Sequence, residues 1–137
     1  MKPNKFQLIF AFLCLLVCIL GTAIACFAEV NDSKAVRAII GEASSEGYDG
    51  MLAVACAIRN RGTLQGVYGV NAKHVDNEPK WVWDIAERAW HNSLTNDVTK
   101  GATHWESTDF KVPYWAKDMV VTYTYKKHVF YKELKED

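Results

Sequence analysis

Apolar residues recur at helical spacing in three stretches of the chain and at alternate positions in two later ones. Val36, Ile39, Ile40 and Ala43 gather on one helical face, and Asn31, Asp32 and Ser33 stand ahead of them as capping candidates. Ser44-Ser45-Glu46-Gly47 ends that pattern. Tyr48-Asp49-Gly50 opens a second helix, which continues through Met51, Leu52, Val54, Ala55 and Ile58. Apolar residues cover nearly every side of this helix, so it is the expected central core element, and Gly62 supplies its stop. Residues 62–77 are glycine-rich and aperiodic, which predicts a surface loop along one rim. Pro79 leads into a third helix marked by Trp81, Ile85, Ala86, Ala89 and Trp90, with Asp84, Glu87 and Arg88 turned outward.

Residues 91–100 are polar and predict a loop, and residues 101–107 a short strand. The run M-V-V-T-Y-T-Y at residues 119–125 alternates and is rich in β-branched side chains. Val129-Phe130-Tyr131 repeats that character after Lys126-Lys127, which predicts a closing hairpin. There is no internal repeat and no low-complexity linker. Three helices followed by a small antiparallel β element predict an α+β domain.

The N-terminal stretch reads differently. Lys2 and Lys5 precede an apolar run over residues 6–20 broken only by Gln7, and small residues follow, the layout of a secretory signal peptide. Cleavage after Cys26-Phe27-Ala28 divides the chain into a leader at 1–28 and a domain at 29–137. The competing readings are an uncleaved membrane anchor, since the run approaches the ~18–20 residues that span a bilayer, and lipidation at Cys26. Each of the three carries the domain outside the cytoplasmic membrane. Roughly 109 residues remain, one small domain by length. Loss of Lys2 and Lys5 takes the basic count from 16 to 14 against 16 acids, a net charge of about −2. That balance offers nothing to attract nucleic acid. Cys14, Cys18 and Cys26 lie in the leader, so Cys56 has no partner and no disulfide framework is expected. Its neighbours Ala53, Val54, Ala57 and Ile58 predict a buried, inert thiol.

Glu42 carries the chemistry of greatest interest. It sits at the end of the first helix beside Ile39 and Ala35, at the edge of the apolar stripe. A carboxyl group against apolar neighbours tends to keep its proton, because its charged form is poorly solvated there, and such a group can protonate a glycosidic oxygen. Glu46 lies about one turn further on, either facing the same groove or solvated in the turn. His104 and Trp105 are placed to meet a sugar from a loop, with buried packing the alternative for Trp105. His128 reads more readily as a hairpin or core histidine than as a catalytic one, Asn60 and Arg61 as loop-holding residues, and Trp81, Trp83 and Trp90 as core and groove wall.

These residues resemble the SleB-type cell wall hydrolases over a span from about Ala35 to Tyr131. The similarity rests on Glu42-Ala43, Glu46, Gly50, Ala53-Val54 and Asn60-Arg61. Two further blocks are Asp97, Thr99, Gly101 and Ala102, where the family has D-x-T-x-G-A, and His128 with Phe130-Tyr131, like the family's H-x-F-Y. The chain departs from the family at Met51, where glutamine is usual, and at Thr103-His104-Trp105-Glu106-Ser107, where the family has an aromatic-rich run ending in Asn-Pro. The resemblance implies a lysozyme-like fold and Glu42 as the catalytic acid of a peptidoglycan lytic transglycosylase. Glu46, Thr103, His104, Trp105 and His128 are then the candidate substrate-binding residues, the glycan strands of peptidoglycan the partner, and no cofactor or metal is implied. A monomer is expected, with membrane contact only through the N-terminal segment. Three alternatives stay open. A hydrolytic muramidase would use Glu106 or Glu46 as a second carboxylate. A non-catalytic wall-binding module would bind without cleaving. A zinc amidase would draw on His74, His91, His104 or His128, which show no recognised metal spacing.

Overall fold

The first helix, α1 (Asp32–Ala43), starts where the Asn31 side chain accepts the Lys34 backbone N–H at 3.1 Å. The structure, a computed structural model, describes residues 30–134. The expected leader at 1–28, with Cys14, Cys18 and Cys26, lies outside the described residues. Ala35, Val36, Ala38, Ile39, Ile40 and Ala43 of α1 are buried, the face that the spacing predicts. A single 3₁₀ turn, Ser44–Glu46, leads into α2 (Gly47–Arg61), one residue earlier than the sequence suggested. Every residue of α2 from Gly50 to Ile58 is buried, so this helix is the centre of the core, and Gly62 caps it in the left-handed conformation at φ 72°. The third helix, α3 (Lys80–Asn92), follows Pro79 and buries Val82, Ala86, Ala89 and Trp90. It includes His91 and Asn92, so the expected loop begins only at Ser93. The Arg59 guanidinium lies 3.7 Å over the Trp90 ring and donates to Trp90 O at 2.9 Å, which ties α2 to α3. Trp90 Nε1 donates to Asp32 at 2.7 Å and closes the three-helix unit.

Residues 62–77 lie mostly at the surface, as expected, but are not without regular structure. They hold two 3₁₀ turns, Tyr68–Asn71 and Lys73–Asn77, and bury Val67, Gly69 and Val75. Gly69 lies directly against α1. A Cβ on it would fall 2.5 Å from Ala38 O, and one on Gly41 would strike the Gly69 backbone. Two bare backbones therefore meet where any side chain would hold them apart. Arg37 secures the same segment through Val70 O at 2.7 Å, Ala72 O at 3.3 Å and Asp76 at 2.6 Å.

Between α3 and the sheet, Asp97 organises the turn. It accepts Thr99 N and Thr99 Oγ1 on one oxygen, and Gly101 N and Asn60 Nδ2 on the other, at 2.6–2.9 Å. Burial would push its carboxyl up, but the hydrogen bonds from Thr99, Asn60 and the backbone outweigh that effect and hold it below the ordinary 3.8. Asn60 also donates to Ala102 O at 3.1 Å, so its place at the end of α2 fixes the entry to the first strand.

Three strands form an antiparallel sheet: β1 (His104–Ser107), β2 (Met119–Tyr125) and β3 (His128–Glu133), in the order β1-β3-β2. The expected hairpin is β2–β3, irregular between Val121 and Tyr123, and β1 pairs with the other edge of β3 with Trp105 opposite Phe130. Phe130 is fully buried against the helices. A helical core beside a small antiparallel sheet is the α+β class expected. Among the described residues no helix is long and apolar enough to cross a membrane.

Two outcomes test these supports. Gly69→Ala should lower stability by about 3 kcal/mol in denaturant unfolding, the upper end of the usual cost of overpacking, because backbone rather than a flexible side chain blocks the added methyl; an unchanged midpoint would refute the close approach. Since Asp97 titrates below 3.8 in the folded chain, its contribution is complete above that value and is lost as pH falls through the lower folded pKa. The acid limb of stability should therefore be shallower in Asp97→Asn than in the native protein.

Candidate active site

Glu42 stands in the last turn of α1, half-buried, with its carboxyl group held from two other segments. Oε1 accepts the Gly69 N–H at 2.6 Å and Oε2 accepts the Trp105 Nε1–H at 3.2 Å. The Gly69 bond depends on the bare approach described above, because a Cβ there would also fall 2.8 Å from Glu42 Cγ. The Trp105 bond spans 63 positions of sequence and joins α1 to the sheet.

The carboxyl group lines an open cleft of about 770 Å³ between the helices and the sheet. All four residues of β1 line it. Alternation along a strand would place only every second residue on one face, so β1 presents its edge to the cleft as well as its side chains. His104 packs against Trp115 with ring centroids 5.3 Å apart, and Trp115 meets Tyr131 edge-on at 5.4 Å. Burial, then the positive charge of Arg61, lowers the His104 pKa below the ordinary 6.5, with Glu133 acting in the opposite direction.

The other sequence candidates divide. His104, Trp105, Glu46 and His128 line the cleft, and His104 and Trp105 do so from β1, within the strand expected at residues 101–107, rather than from an exposed loop. Thr103 lies outside the cleft wall: its N–H donates to Tyr131 O at 3.0 Å and its hydroxyl shares a 2.9 Å hydrogen bond with His104 Nδ1, so it supports its neighbour. Glu46 is not a solvated turn residue. It is 6 % exposed, its Oε1 accepts the Lys127 N–H at 3.3 Å, and Gly50 leaves the space its side chain fills. Its Oε2 lies 3.1 Å from His128 Nδ1, within ion-pair reach, yet off the hydrogen-bond axis, so neither buried atom has a hydrogen-bond partner. Trp81, Trp83 and Trp90 do not line the cleft; Trp90 is core, Trp83 half-buried and Trp81 62 % exposed. Cys56 is buried, donates to Asn96 O at 3.1 Å, and has its thiol pushed up to about 11, chiefly by burial.

Arg61, Tyr68, Phe110, Trp115 and Lys127 also line the cleft, although nothing in the sequence had assigned them to it. Tyr68 and Phe110 are 86 % and 70 % exposed, flat aromatic surface at its mouth. The F-K-V-P-Y-W run at residues 110–115, aromatic without periodicity, was the available signal. Among the described residues no group of three or more His, Cys, Asp and Glu side chains is placed to hold a metal ion, and His74 and His91 lie outside the cleft that His104 and His128 share.

The class that this architecture defines is a small α+β domain with a carboxyl-bearing cleft between helices and sheet. The fold is similar to that of the catalytic domain of the Bacillus cereus SleB protein, known from a crystal structure. The TM-score is 0.55 at 23 % sequence identity, covering 74 % of this chain and 89 % of that one. No protein-family model and no curated protein matches the sequence.

His104 provides a direct test of the cleft's electrostatics. Its imidazole should titrate below 6.5 by NMR, and Arg61→Gln should move that value upward. A depressed folded pKa also means that the stability linked to His104 is complete above 6.5 and lost as pH falls through the folded value. Titration at or above 6.5 in the native protein would contradict the burial and the charge described.

Proposed function

We propose that this protein cleaves the glycan strands of peptidoglycan between N-acetylmuramic acid and N-acetylglucosamine, with Glu42 as the catalytic carboxyl group. One observation carries the proposal: the Glu42 carboxyl group faces an open cleft and is oriented by two fixed N–H donors. The motif blocks that resemble SleB-type cell wall hydrolases, and the fold likeness to the SleB catalytic domain, support the same assignment. A leader at 1–28 would deliver the domain to the side of the membrane where this polymer lies.

A carboxyl group has about four acceptor positions. Gly69 and Trp105 occupy one on each oxygen, which leaves the others for the substrate. In its acid form Glu42 gives its proton to the bridging oxygen as the bond to muramic C1 breaks. The carboxylate then takes the proton of the muramic C6 hydroxyl, whose oxygen bonds to C1 and closes a 1,6-anhydro ring. One carboxyl group performs both transfers and ends as it began. Because its donors are a backbone amide and an indole on a strand, little reorganisation accompanies the step.

Hydrolysis is the second reading, and Glu106 favours it by lining the same cleft from β1. Glu46 is a poorer partner, since Oε1 is engaged by Lys127 and Oε2 is turned toward His128.

Digestion of purified murein followed by product masses tests both. Glu42→Gln should lower the rate at least ~100-fold, the scale of removing a general acid. The amide oxygen still accepts from Gly69, but the amide nitrogen cannot accept from Trp105, so the variant should stay folded with a loss of about 1 kcal/mol, the scale of one hydrogen bond. Anhydro-muropeptides mean transglycosylation; reducing-end products mean hydrolysis, and Glu106→Gln should then lose activity as well. A near-native rate in Glu42→Gln would end the assignment.

A further inference from the structure

Arg61 differs from the other arginines of the domain. Arg37 is tied to Val70 O, Ala72 O and Asp76, Arg59 to Ser93, Trp90 O and the Trp90 ring, and Arg88 lies 5.2 Å over Tyr48. Arg61 enters none of the ion pairs among the described residues, and no side chain or carbonyl there accepts from its guanidinium. It is nevertheless half-buried and lines the cleft that Glu42 lines. Gly66 also lines the cleft and lies beneath the guanidinium, where a Cβ would stand 3.3 Å from Nη2, so the absence of a side chain leaves that charge uncovered. The other cation of the cleft wall, Lys127, is already paired with Asp109 at 2.9 Å. The attraction of Arg61 to the helix dipole at the end of α2 is worth little and leaves all five of its N–H donors free.

We infer that Arg61 is a specificity residue that receives a carboxylate of the substrate. This rests on the glycan-cleaving assignment above and extends it: the preferred strand carries a carboxylate, and Arg61 can grip it with two parallel N–H donors. Peptidoglycan offers this group from two sources, the lactyl arm of a muramic acid whose peptide has been removed, and the acidic residues of an intact stem. Arg61 works beside His104, whose depressed titration already registers its charge. A bound carboxylate cancels that charge and returns the imidazole toward its ordinary value.

The test uses the Glu42→Gln protein, so that ligands survive, with and without Arg61→Gln or Arg61→Lys. Calorimetry compares three oligosaccharides of equal length: one with intact stems, one stripped to lactyl carboxylates by an amidase, and a neutral N-acetylglucosamine oligomer. Arg61→Gln should weaken the carboxylate-bearing ligand at least ~10-fold more than the neutral one, as expected for losing a charge-assisted pair. Arg61→Lys should recover part of that difference, and the difference should shrink as salt rises. A larger effect on the stripped ligand identifies the lactyl source; a larger effect on the intact one identifies the stem. The same carboxylate ligand should raise the His104 pKa in the Arg61 protein. Equal weakening of all three ligands, or none, with His104 unmoved, overturns the inference while the glycan assignment stands. Failure of the Arg61 protein to bind any of the three, together with failure of the native protein to cleave murein, overturns the assignment itself.

Discussion

The hydrogen bond from the Gly69 amide to the Glu42 carboxyl group governs much of what surrounds it. A buried N–H must find an acceptor, and at this position α1 offers only a side chain. The bond exists because Gly41 and Gly69 let a helix and a turn approach more closely than side chains allow. Structural need and candidate chemistry thus converge on one carboxyl group: the turn needs Glu42 as an acceptor, and Glu42 needs the turn for its orientation. Arg37 reinforces the contact from outside through two carbonyls and Asp76.

Glu42 and Glu46 show how a small change in backbone separates two identical side chains. Had α1 continued, they would share one face. The 3₁₀ turn at Ser44–Glu46 and the left-handed Gly47, at φ 76°, send the second glutamate beneath the hairpin. There Lys126 Nζ donates to its carbonyl at 2.8 Å and Lys127 N to its carboxyl group, so Glu46 anchors the β2–β3 turn. Glu46 and His128 lie side by side beneath the hairpin, with Oε2 and Nδ1 3.1 Å apart and both buried.

The helices and the hairpin were legible because their signals are local. The stripe of α1, the unbroken apolar α2 and the β-branched and aromatic run of β2 each mark an element within one window of sequence. Glu42 was legible too, by its place beside the stripe and by the resemblance around it. Its two donors were not, since Gly69 and Trp105 lie 27 and 63 positions away and backbone contact leaves no trace in composition. The turns after Gly62 read as a loop because 3₁₀ segments are too short to show a period. Thr103 was drawn into the site by its neighbours, although strand pairing turns it to support them. Trp81 fits a helical pattern yet faces solvent, since spacing alone does not say which positions of a stripe lie beyond the edge of the partner helix.

The order of strands has a bearing on how the domain comes into being. The middle strand, β3, follows both of its neighbours in the chain. β1 therefore has no strand to pair with until β3 has formed, and without that pairing Trp105 has no wall from which to reach Glu42. Assembly of the cleft is delayed until β3 inserts between the two, a long-range closure that cannot begin early. With this wiring the cleft is complete only once the last strand of the sheet is in place.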